Sequence, residues 1–253
     1  MDDREAQGAA APPIWRTALD FSAQDAGHYL DNVNPGLLRL VDGSPRRVLE
    51  LGCAGGMFGA TLKATYPGVT VVGIEAGSAA AEKAATRLDR VIHGRIEEID
   101  FAAEGFVTGE FDTVVAGDIL EHLFNPWELL VRVKPYLAPN AQLLASIPNV
   151  RNIWLVSQLL LLGRWEYVGR GLLDITHLRF FTLHEIRKMF EETGFRIEST
   201  GCGILPHLQP VFEAYKGQGT KQLKVDRMTI ADVSPEEMTE FCAAQYFLRC
   251  RPA

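Results

Sequence analysis

Short, almost wholly apolar runs punctuate the chain at RVLELG (47–52), TVVGIE (70–75), RVIHG (90–94), FDTVVAGD (111–118) and AQLLASIP (141–148). They lack the alternating polar positions of a half-exposed strand, as strands buried on both faces of a parallel sheet do. Between them the apolar period lengthens. Phe58, Leu62 and Tyr66 recur every fourth residue before Pro67-Gly68, and Ser78 is expected to cap an Ala-rich second helix. Asn125-Pro126-Trp127-Glu128 places a capping side chain, a proline and a glutamate at a helix start, and Pro139-Asn140 marks its end. This alternation predicts a doubly wound α/β domain with a mostly parallel sheet and crossover helices.

Beyond residue 149 the pattern changes. An apolar helix is expected over 150–162, then a loop rich in Gly, Trp and Tyr over 163–181, then a helix that Thr182 and Glu185 open as a capping box and Gly194 closes. Two further strand candidates, RIESTGCG (196–203) and QYFLRC (245–250), flank a last helix at SPEEMTEF. At the other end, residues 1–13 are acidic and Ala/Pro-rich and predict a mobile tail. Residues 14–45 predict a cap on the main domain, with a short helix opened by Asn34-Pro35. There is no internal repeat, so one domain is expected over 14–253, with 150–182 as a lid.

Charge and composition narrow the functions. Across 253 residues, 25 Lys and Arg face 32 Asp and Glu, a formal charge of −7 that offers no broad basic surface to nucleic acid. Cys53, Cys202, Cys242 and Cys250 form no C-x-x-C pair and read as free thiols of a reducing, cytoplasmic compartment. The apolar run 153–162 is too short to span a bilayer, which leaves a buried helix or the contact face of a homodimer.

The candidate chemistry begins at ELGCAGGMFG (50–59), where small residues crowd between the first strand and the first helix. Such a turn exposes backbone N–H groups and lets a ligand approach the main chain. Glu75 ends the second strand, placed to accept hydrogen bonds from both hydroxyls of a ribose. The pyrophosphate pattern G-x-G-x-x-G fits poorly, because Ala54 and Met57 stand at its second and third glycines.

Glu50-Leu51-Gly52-Cys53-Ala54-Gly55-Gly56 resembles motif I of the class I S-adenosylmethionine-dependent methyltransferases, with Ala54 in place of one family glycine. FDTVVAGDILEHL resembles the family's fourth strand and the segment after it, and the likeness runs over roughly 34–200. It implies the Rossmann-like seven-stranded fold with an antiparallel last strand, S-adenosylmethionine as cofactor, and a cofactor site of Glu50, Gly52, Cys53, Ala54, Gly56, Glu75, Gly117 and Asp118. Gly94-Arg95-Ile96 stands where many relatives have Gly-Asp beside the adenine, which leaves Ile96 to pack on the ring.

Methyl transfer from a sulfonium is an in-line displacement that needs an aligned acceptor, and an alcohol acceptor needs a base. His122, at the carboxyl end of the fourth strand, and His177, in GLLDITHLRFFT, are the candidates. SIPNVRN, GRWEYVGRGLLD and THLRFFT resemble the methyltransferases of glycan and polysaccharide biosynthesis. That likeness implies a sugar hydroxyl on a glycan precursor or nucleotide sugar, with Asn149, Trp165, Tyr167 and Arg179, or Arg170, on the substrate. A quinone-like or other small aromatic hydroxyl is the alternative acceptor, and a non-catalytic nucleoside binder is the alternative class. No His/carboxylate cluster stands out in the sequence, so no metal is expected.

Overall fold

The computed structural model describes Asp31 and residues 33–253. The expected tail and most of the expected cap lie outside the described residues; of the cap, the short helix α1 (Pro35–Leu38) forms as predicted, with Asn34 Oδ1 accepting from the Gly36 N–H (3.0 Å). Then come β1 (Arg47–Leu51), α2 (Met57–Thr65), β2 (Thr70–Glu75), α3 (Ser78–Ala85), β3 (Arg90–His93) and β4 (Phe111–Gly117). A one-turn 3-10 helix (Leu120–His122) follows, then α4 (Pro126–Val133), β5 (Leu137–Pro148), α5 (Ile153–Leu162), α6 (Leu183–Glu192) and β6 (Phe195–Ile204). The chain closes with α7 (Gln209–Tyr215), β7 (Thr220–Val225), β8 (Met228–Val233), α8 (Pro235–Cys242) and β9 (Ala243–Pro252).

Seven strands form one sheet in the order β3-β2-β1-β4-β5-β9-β6, parallel from β3 to β5, with β9 antiparallel to both its neighbours. Adjacent residues of the central strands feed opposite faces. Leu49, Leu51, Val114 and Ala116 join one core cluster, while Val48 and Val115 join the other with Leu144 and Phe247. That two-sided burial is why these strands are unbroken apolar runs. The order reverses beside β1 and β4, opening a crevice at their carboxyl ends, where ligands of open α/β sheets bind.

Local expectations are corrected at four places. Ser78 is the first helical residue rather than the cap; Gly77 holds the extended cap conformation with no side-chain hydrogen bond. Pro139-Asn140 does not end α4, which stops at Val133. The pair sits in a bulge inside β5, where Asn140 takes the left-handed conformation and proline has no N–H to offer the ladder. A two-stranded hairpin, β7–β8, and α7 occupy 209–233, where the sequence showed no element. They bury Leu223 and Val233 against Met238, Phe241 and Ile153 in a satellite core under α5. The reciprocal capping box also falls elsewhere: Thr182 accepts from the Glu185 N–H (3.4 Å), whereas Ser234 and Glu237 complete both bonds.

Candidate functional site

The glycine loop is built from left-handed residues. Gly52 (φ 67°), Ala54 (φ 46°) and Gly56 (φ 74°) alternate in that region, and a side chain on Gly56 would meet the Ala84 backbone at 3.0 Å. Cys53 is a space filler: its Sγ lies where a side chain on Gly73 would project, and burial pushes its thiol pKa up, away from reactivity. Two carboxylates brace the loop. Glu75 accepts from the Ala54 N–H through Oε2 and from the Gly77 N–H through Oε1, both at 2.8 Å. Buried Glu50 accepts from the Gly59 N–H (3.2 Å), and desolvation, with nearby Glu75 adding to it, pushes its pKa up to about 8. Arg87 donates to the Gly55 carbonyl (2.6 Å), a brace the sequence did not reveal.

On the β4 side, Gly117 leads into Asp118, a left-handed residue (φ 53°) whose N–H donates to Ser146 Oγ (3.0 Å) and whose carboxylate accepts from the Gln245 amide. Ile96 is buried in the core, and Arg95 is engaged by Glu97 and Glu98.

Next to this crevice, the 3-10 turn after β4 meets the loop after α5. The rings of His122 and His177 cross edge to face with centroids 4.7 Å apart. His177 Nδ1 lies 3.3 Å from the Leu172 carbonyl and its Nε2 4.0 Å from Glu121 Oε1. Glu121 is fully buried; neither carboxylate oxygen has a hydrogen-bond partner, and burial holds its pKa well above the usual range. Burial, with His177 beside it, lowers His122 to about 4, and burial also lowers His177. The expectation that no His/carboxylate cluster exists is thus corrected. Glu121, His122 and His177 each bring a ligand atom within 4.8 Å of the others, a donor set able to accept a divalent cation. His177 lies 55 residues beyond His122 along the chain, and the only signal of the adjacent Glu121-His122 pair is the LEH that follows β4.

The expected substrate residues divide. Asn149 is wholly buried, its amide donating to the carbonyls of Glu240 (2.7 Å) and Ala243 (2.9 Å), so it joins β5 to α8 rather than facing a ligand. Trp165 packs edge to face on Phe180 at 5.3 Å, and Arg179 donates to the Phe124 carbonyl (3.1 Å) and lies over the Phe124 ring. Both therefore serve to hold the loop. Tyr167 and Arg170 stay exposed. A groove of about 640 Å³ lined by Val131, Lys134 and Pro252 lies at the opposite, amino end of β4 and β5 and adds nothing to the crevice.

A seven-stranded sheet of this order, with a left-handed loop after β1 and a carboxylate ending β2, defines a nucleoside-binding α/β domain of the methyltransferase type. The chain belongs to the methyltransferase domain family, whose model matches residues 25–200. It is 27% identical over 157 residues to the mitochondrial ubiquinone biosynthesis O-methyltransferase of Schizosaccharomyces pombe, covering 61% of this chain and 56% of that protein. It is 30% identical over 188 residues to the ubiquinone biosynthesis O-methyltransferase of Thiobacillus denitrificans, covering 70% of this chain and 78% of the relative. Among solved structures, a methyltransferase of Thermotoga maritima described as a possible histamine N-methyltransferase superposes with a TM-score of 0.57 at 15% identity, over 86% of this chain and 88% of that one. That likeness bears on the fold alone. No helix among the described residues is long and apolar enough to cross a membrane.

Proposed function

We propose that the protein transfers the methyl group of S-adenosylmethionine to a small acceptor hydroxyl, and that the acceptor is quinone-like or otherwise aromatic. The observation that carries the reading is the left-handed loop braced by Glu50 and Glu75, directly beside a histidine pair at the carboxyl end of β4. The loop's exposed main chain suits an adenosyl group; Glu75, with lone pairs left beyond its two backbone bonds, suits the ribose. The bound cofactor supplies an electrophilic methyl carbon; the protein aligns the acceptor oxygen with it, excludes water and takes the proton.

Of the two histidines, the geometry favours His122 as the base. His177 has its Nδ1 on the Leu172 carbonyl and its Nε2 turned towards the buried Glu121 carboxyl, 4.0 Å away and beyond hydrogen-bond distance, and it is the less exposed of the two. The low pKa of His122 keeps its imidazole neutral at pH 7 and makes it a weak base. A phenol-like hydroxyl, with a pKa near 10, is much better matched to it than a sugar hydroxyl. The names of the curated relatives point the same way, and the internal role of Trp165 removes one support for a sugar acceptor.

The test is a screen of phenols, catechols, nucleotide sugars and oligosaccharides with methyl-labelled S-adenosylmethionine. Label transfer to a catechol or phenol, lost in His122→Gln at unchanged S-adenosylhomocysteine affinity, is expected. Preference for sugars overturns the acceptor assignment, binding without transfer to any of them marks a nucleoside binder, and a crevice that binds no cofactor rejects the whole reading.

A further inference from the structure

His122 makes its polar contacts through one ring nitrogen. Nδ1 lies 3.0 Å from Thr176 Oγ1 and 3.3 Å from the Thr176 carbonyl. Thr176 Oγ1 in turn donates to Asp174 Oδ1 (2.7 Å), which also accepts from the Thr176 N–H (2.9 Å). Asp174 is buried.

A threonine hydroxyl has one hydrogen, and here the buried carboxylate takes it. The hydroxyl oxygen can then only accept from His122. The Thr176 carbonyl, an acceptor under any circumstance, makes the same demand. Both contacts therefore require the proton on Nδ1 and leave the lone pair on Nε2. The opposite tautomer would set a lone pair against the carbonyl and compete with Asp174 for the hydroxyl hydrogen. The crossed His177 ring, 4.7 Å away, packs on the imidazole and limits its rotation.

From this arrangement we infer that Thr176 and Asp174 are positioning residues: they hold His122 as the Nδ1–H tautomer and turn its Nε2 lone pair towards the acceptor. This deepens the reading of His122 as the base and rests on it. The logic is that of a carboxylate orienting a catalytic histidine, with a hydroxyl interposed between the two. It also gives THLRFFT a task beyond covering the crevice. Because Asp174 and Thr176 belong to the loop after α5 and His122 to the turn after β4, the base has a fixed tautomer only while that loop is seated.

The tautomer can be read without any acceptor, from long-range proton–nitrogen correlations of the ring nitrogens in full-length protein labelled with [15N]histidine, with His122 assigned by its loss in His122→Gln. In the wild-type protein at pH 7.5, Nδ1 is expected at a protonated, pyrrole-type shift and Nε2 at an unprotonated, pyridine-type shift. Thr176→Val should move the tautomer ratio by about tenfold, the size of one hydrogen bond, and Thr176→Ser should restore the wild-type pattern. A wild-type His122 protonated on Nε2 overturns the inference, even if Thr176→Val does not fold, and so does a Thr176→Val spectrum identical to wild type. Methyl transfer by a protein with the Nε2–H tautomer would refute the relay alone. The expected tautomer with no transfer in the acceptor screen would refute the methyltransferase reading and leave the relay standing.

Discussion

At the scale of single residues, the glycine loop holds a strained position beside a relaxed one. Ala54 stands at φ 46° where its neighbours in that conformation, Gly52 and Gly56, are glycines. An L-residue there costs about 1–2 kcal/mol, partly offset because glycine gains more freedom in the unfolded chain. Ala54→Gly should therefore raise stability by up to about 1 kcal/mol. Gly56→Ala should lower it by about 1–3 kcal/mol, since strain there adds to a 3.0 Å approach to the Ala84 backbone. Urea melts of the two variants should move in opposite directions; a loss in Ala54→Gly would mean that its methyl packs better than the strain costs. Glu75 braces the loop and in the proposed function also holds the ribose, so Glu75→Ala should weaken S-adenosylhomocysteine by about 1–3 kcal/mol, the value of charged hydrogen bonds. Equal affinity in a calorimetric titration would reject its place in the site.

At the scale of elements, the junction at Asn149 decides how the loop after α5 is held. Its N–H donates to the Ala244 carbonyl (2.8 Å), its amide to Glu240 and Ala243, and its Oδ1 accepts from the Arg151 N–H (3.0 Å), so one side chain ties β5, α8 and β9 to the start of α5. Asn149→Ala takes the side-chain donor from the Glu240 carbonyl and one of two donors from the Ala243 carbonyl, which the Asn152 amide still reaches (3.0 Å), and should cost about 1–3 kcal/mol. Amide exchange across 150–182 should quicken while the β1 and β4 amides stay protected; unchanged exchange in that segment would show that the loop is held elsewhere. The sequence had pointed Asn149 at substrate because SIPNVRN carried a resemblance, whereas its true partners lie about 90 residues away. The same reason explains what could be read and what could not. β1, β2, β4 and β5 were legible because burial on both faces leaves a local mark, an unbroken apolar run, and Asn125 was legible because a cap is a short-range signal. β7 and β8 alternate polar residues with apolar ones that pack on α5 and α8, so only the tertiary contact marks them as strands. The Glu121-His122-His177 cluster and its Thr176-Asp174 support are likewise made by the meeting of two distant segments.

At the scale of the whole molecule, carboxylates in the crevice and carboxylates on the surface pull stability in opposite directions with pH. Burial raises Glu50 to about 8 from an ordinary 4.5 and holds Glu121 well above that range. A raised folded-state pKa means that the folded protein binds the proton more tightly than the unfolded chain. That stabilisation is whole below the unfolded value and is lost as pH climbs through the folded one. Asp89 and Glu198 are lowered, by Lys63 and the Val71 N–H and by Arg251 and Arg196 respectively, so their contribution is present at neutral pH and lost as pH falls below about 4. These surface pairs are small because water screens them, whereas the buried groups are not screened. The formal charge of −7 adds repulsion on the alkaline side. Buried His122 and His177 are held neutral and work the other way below about pH 6.5, where the unfolded chain takes up their protons and the folded one does not. Ligand-free protein should therefore have a broad stability maximum between about pH 5 and 6.5 and lose stability steadily from there towards pH 8.5. Glu50→Gln isolates one term: it keeps an acceptor for the Gly59 N–H but carries no charge. Its stability should match wild type within about 0.5 kcal/mol near pH 4.5 and exceed it by a few kcal/mol at pH 8.5, where wild-type Glu50 is ionised in a dry site. Urea titrations at pH 4.5, 6.5 and 8.5 would show the two curves diverging as pH rises. Parallel curves would mean that Glu50 ionises freely in the folded protein, and the crevice would then be wetter than its geometry allows.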